Sequence, residues 1–130
     1  MIIKPYLYLP YSLREIKYNI EEIFYWVKNI FIRGLKGYCD VDIWNFYDYL
    51  SDIISNGLTK LKEKSSGYPY MEGGNIEDAK MKWEQILDDI IIGFQIAKTL
   101  KDEYPEDKKK REKFDKAMML FHEHFFSFWD

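Results

Sequence analysis

The feature that most limits what this chain can fold into is a recurrence of apolar residues every three to four positions. It runs through successive segments. The first reads Ile16, Ile20, Ile23, Phe24, Val27, Ile30 and Phe31, and the second Ile43, Phe46, Tyr47, Leu50, Ile53, Ile54, Leu58 and Leu61. The third reads Trp83, Ile86, Leu87, Ile90, Ile91, Phe94 and Ala97, and the fourth Phe114, Ala117, Met118, Phe121, Phe125 and Phe128. That spacing puts each set on one face of a helix, whereas a strand needs a period of two. Only Tyr6-Leu7-Tyr8-Leu9, between Pro5 and Pro10, alternates, and it reads as a short extended arm over 1–11. Helices with one oily face each can bury them against one another. The sequence therefore predicts an all-α fold, a four-helix bundle-like single domain over residues 1–130.

Local punctuation places the ends of these helices. Ser12 with Glu15 three residues on forms a capping box, and Gly34 and Gly37 close the first helix. Asp40 is the expected cap of the second. Gly57 lies inside its stripe and weakens it by about 1 kcal/mol relative to Ala without ending it. Residues 65–74, dense in Ser, Gly and Pro, form the longest loop. Asn75 caps the third helix. A turn at Tyr104-Pro105 follows, because a residue before proline avoids helical angles, and the fourth helix starts near Asp107. On the second helix, positions 43, 47, 50 and 54 are expected to face the core and the acids at 48 and 52 to face solvent.

Composition narrows the function classes. With 19 basic and 22 acidic residues the formal net charge is −3, which argues against a dedicated DNA-binding protein. The mixed-charge run Lys101–Lys113 reads as a solvated turn. A single cysteine, Cys39, leaves no internal disulfide and suits a reducing compartment. No apolar run approaches the ~18 residues of a membrane span, so a soluble, cytosolic protein without membrane partners is expected. Aromatic residues reach 18%, with 11 Tyr, 9 Phe and 4 Trp. That surplus fits either a bulky core or rings lining a pocket or partner surface.

No established catalytic motif stands out, and no enzyme activity, cofactor or metal is expected. Asp48 with Asp52, and Glu84 with Asp88, form spaced carboxylate pairs that could in principle converge on a metal. The apolar stripes place them outward instead. A di-iron bundle would need Glu-x-x-His motifs, and neither His122 nor His124 has one. The Glu-x-x-Glu that begins an all-α pyrophosphatase site is missing before Glu112 and Asp115. Cys39, at a helix start, has no evident His partner and reads as a structural thiol.

The segment best suited to holding a ligand is Arg33-Gly34-Leu35-Lys36-Gly37-Tyr38, running into Asp40 and Trp44. Two glycines can expose backbone N–H groups beside two cations, and the next helix begins at once. Arg33 and Lys36 would neutralise a phosphate or carboxylate, Tyr38 and Trp44 would stack on a planar ring, and Tyr68 would close over it. The plain alternative is a helix C-cap with ordinary turn chemistry.

The order Arg33-Gly34, Gly37-Tyr38, Asp42 with Trp44, Tyr49-Leu50, Gly67-Tyr68-Pro69, Trp83 with Ile86-Leu87, Gly93-Phe94, Leu120-Phe121, Phe125 and Trp129-Asp130 resembles a family of small tailed-phage proteins. The likeness runs from about Tyr25 onward. It implies a viral protein working in bacterial cytoplasm and carries no active site to transfer. The expectation is a non-catalytic binding protein that sequesters a host defence signal nucleotide or blocks a host protein. The alternatives are a virion structural or assembly protein and, more remotely, a metal-dependent enzyme on Asp48, Asp52, Glu84 and Asp88. A homo-oligomer stays open in each.

Overall fold

The computed structural model of the chain describes residues 13–70, 75–100, 102 and 104–129. The arm over 1–11, the Ser12 cap, residues 71–74 of the long loop and the terminal Asp130 lie outside the described residues. Among the described residues the fold is all-α, with no strand: α1 (Leu13–Lys36), α2 (Asp40–Trp44), α3 (Phe46–Lys64), α4 (Ile76–Leu100) and α5 (Lys108–His124), then a 3₁₀ turn (Phe125–Ser127). No helix among these residues is long and apolar enough to cross a membrane. Backbone proximity divides the chain into two compact units, Met1–Tyr49 and Leu50–Asp130.

Helix ends obey the local chemistry. α1 passes through Gly34 and stops at Lys36, where Gly37 turns left-handed at φ 83° and its N–H donates to the Arg33 carbonyl, 2.8 Å away. Asn75 caps α4 by accepting from the Asp78 N–H at 2.8 Å. The Asp107 carboxylate caps α5, accepting from the N–H groups of Lys109 and Lys110. The second predicted helix is in fact two. At Asn45 the backbone leaves helical angles (φ −124°, ψ 56°), so α2 ends and α3 begins with a new phase.

The second unit contains a closely packed core. Leu58, Trp83, Leu87, Ile90, Ile91 and Phe94 are buried together, with Ile54, Tyr68, Phe114, Phe121 and Phe128 packed around them. The rings meet mostly edge to face: Phe94 against Phe114 and Phe121, with centroids 6.0 and 5.4 Å apart. Gly93 lets α5 approach α4 closely at Ala117. The chain end docks through Phe128, which stacks on Trp83 and Phe121, while Trp129 stays exposed. His124 packs its edge on Trp83, and His122 faces solvent.

On α3 the expected inward and outward faces need correcting. Ile43, Tyr47 and Leu50 are exposed and Ile54 is half-buried, whereas Ser51, Asp52, Ser55 and Leu58 are buried. The break at Asn45 is one cause, since it removes Ile43 from the same helical wheel. Small residues are the other: the Ser55 hydroxyl donates back to the Ser51 carbonyl at 2.7 Å, satisfying itself within the helix. Asp52, only 8% exposed, is tied to Lys98 of α4 at 2.6 Å. Burial pushes its carboxyl pKa up and the Lys98 hydrogen bond pulls it down, leaving it below the ordinary aspartate value.

Candidate functional site

The first unit contains an open cleft of about 400 Å³, lined by Tyr25 of α1, Val41, Asp42 and Trp44 of α2, the linking Asn45, and Asp48 and Tyr49 of α3. Its geometry follows from the turn between α1 and α2. Cys39, rather than Asp40, is the N-cap of α2, and Asp42 at the third helical position reaches back to accept the Cys39 N–H at 2.8 Å. The same carboxylate receives Arg33 through two bonds, Nε at 2.9 Å and a terminal guanidinium nitrogen at 2.5 Å. That nitrogen also donates to the Cys39 Sγ at 3.3 Å. A forked guanidinium on a carboxylate fixes orientation as well as distance. The Tyr49 hydroxyl donates to the Gly37 carbonyl, joining the start of α3 to the same turn.

Electrostatics at this latch are well defined. Asp42 is 6% exposed. Burial raises its pKa, but the Arg33 bond and the Cys39 N–H more than reverse this and hold the carboxyl at about 2. The Arg33 pKa is raised in turn, chiefly by its hydrogen bond to Asp42 and against the effect of burial.

This arrangement changes the role read for the Arg33 segment. Two nitrogens of the Arg33 guanidinium are engaged by Asp42 and Cys39, which ties Arg33 into the α1–α2 turn. Lys36 and Tyr38 are exposed and are not among the residues lining the cleft. Trp44, 89% exposed, does stand in the cleft wall. Tyr68 belongs to the second unit, where it packs against the core and borders a small cavity of about 70 Å³ with Lys62, Lys80, Trp83 and Glu84.

Sequence reasoning missed Tyr25, Asp42, Asn45 and Tyr49 as cleft residues. One signal pointed to Asp42: Cys39-x-x-Asp42 has the spacing of a capping box, and Arg33 lies one turn before the glycine stop. Tyr25 carries no such mark, because a tyrosine on the flank of an apolar stripe looks like any other.

Two of the four carboxylates considered for a metal are bonded to lysines. Asp52 holds Lys98, and Asp88 accepts from Lys62 at 2.7 and 2.8 Å. Among the described residues no three His, Cys, Asp or Glu side chains gather as a metal site. Asp48 differs from the paired acids. It sits in the cleft wall, half-buried, with no ion pair or side-chain hydrogen bond among the described residues. No family model matches the chain, and no curated protein or solved structure matches it at a significant level.

Proposed function

We propose that the chain is a non-catalytic binding protein whose ligand enters the cleft of the first unit. In this reading it acts in the host cytoplasm by blocking a host factor, which the resemblance of its motifs to small tailed-phage proteins supports. The observation that carries this reading is a cleft already formed and stiffened by the Arg33–Asp42 latch, with Trp44 exposed in its wall. A binding site held in shape loses less conformational freedom when its ligand arrives. The nucleotide form of the reading loses its phosphate anchor, because Arg33 is neutralised by Asp42 and no lining residue is basic.

The test is isotope-edited spectroscopy of the whole chain against fractions of a bacterial lysate, small-molecule and polypeptide. A true ligand moves the Trp44 indole and Asn45 amide signals while leaving Trp83, buried in the second unit, in place. Fractions that leave Trp44 unmoved throughout count against the proposal. A second reading, a virion assembly protein, is favoured by the apolar residues that α1 leaves exposed, Phe24, Phe31 and Leu35 among them. Mass spectrometry of purified particles decides it: abundant copies support assembly, and absence supports the binding role.

A further inference from the structure

We infer that the cleft selects a positively charged organic group, an ammonium or guanidinium head; this rests on the reading of the cleft as the binding site. The first support is the wall itself. Tyr25, Trp44 and Tyr49 are among its lining residues, and the electron-rich face of an aromatic ring attracts a cation. The Tyr49 ring is held by its hydroxyl bond to the Gly37 carbonyl, so one wall is fixed in place.

The second support is the charge balance. The Asp48 carboxylate is bonded to no cation of the described residues, whereas Asp42, Asp52, Asp88 and Asp89 are each bonded to a basic side chain. The nearby Arg33 is forked onto Asp42, which leaves Asp48 as the uncompensated charge of the cleft lining. An anion entering would meet that charge unscreened. A neutral ring would strip water from it and return no partner. A cation gains both the carboxylate and the rings, and the Asn45 side chain offers one further acceptor. The volume, about 400 Å³, lies in the range of small-ligand sites and leaves room for a head group with its aliphatic stem.

Two sources share this chemistry, a free organic cation and a basic side chain presented by a partner polypeptide. Calorimetric titration of the full chain separates them. The probes are tetramethylammonium, an N-acetylated arginine amide and a short Lys/Arg-containing peptide. Adenosine monophosphate and free indole serve as the anionic and neutral controls. Cation binding is expected to weaken about fivefold in Asp48→Asn and by a similar factor in Trp44→Ala, and to fall as salt is raised. Trp44 is exposed and Asp48 half-buried without side-chain bonds among the described residues, and circular dichroism of both variants is the check that they keep their helices.

Binding of the small cations assigns the site to a free ligand, and binding of the peptide alone assigns it to a partner's side chain; either upholds the inference. Failure of all three cationic probes, the peptide included, at tens of millimolar overturns it, as does binding indifferent to both substitutions. If adenosine monophosphate or indole binds while the cations do not, the cleft remains a binding site and only the cation selectivity falls. If no probe binds, the cation selectivity falls, and the lysate titration of Trp44 separately decides whether the cleft is a binding site.

Discussion

Gly93 shows how much can depend on one missing methyl group. A Cβ built there would collide with that of Ala117 and sit 3.2 Å from the Lys113 carbonyl oxygen, both on α5. Backbone cannot step aside as a flexible side chain can, so Gly93→Ala must push the two helices apart. The overpacking cost outweighs the helix propensity that Ala gains. We expect a net loss of about 2 kcal/mol in urea unfolding of the variant. Asp42 is the other residue with a sharp expectation. Its carboxyl is held at about 2, from an ordinary value of 3.8. A depressed folded-state pKa contributes stability that is present above the unfolded value and lost as pH falls through the folded one. The stability gap between the native chain and Asp42→Asn should therefore be full at neutral pH and close between about pH 4 and pH 2. A gap unchanged across that window would show that the latch is not electrostatic.

At the scale of elements, Gly57 behaves oppositely to Gly93. It lies within α3, exposed, and an added Cβ would meet nothing within 4 Å. Gly57→Ala should stabilise the chain by about 0.5–1 kcal/mol, seen as a raised thermal midpoint. Most helix ends were legible in the sequence because caps and stops are local: Asn75, Asp107 and Gly37 each act within a few residues of themselves, whereas the expected count of four fell one short of the five helices found among the described residues. The break at Asn45 was not legible. Apolar periodicity continues across it, and nothing in the types Trp44-Asn45-Phe46 forbids a continuous helix. The inward turn of Asp52 was hidden for a different reason, since its partner Lys98 lies 46 residues away. The cleft suffers most from this limit. Its walls come from three helices and the residue linking two of them, and the Arg33 cation that looked available was already committed to Asp42.

Across the whole molecule, burial is unevenly distributed. None of the described α1 side chains is fully buried, while α4 buries nine residues from Ala79 to Leu100. Buried apolar contact sets how costly local opening is. Native-state hydrogen exchange should accordingly show two tiers, with the slowest amides around Leu87–Ile91 and clearly faster ones along α1. Equal protection in both would mean that the two units open only together. The latch offers a way to watch the faster tier directly. Cys39 is 1% exposed and its sulfur receives the Arg33 guanidinium, so an alkylating reagent reaches it only when the turn comes undone. The chain thus has its own clock: the labelling rate of its sole thiol counts excursions of the α1–α2 corner, and a ligand that seats against Asp48 and Trp44 should make that clock run slow.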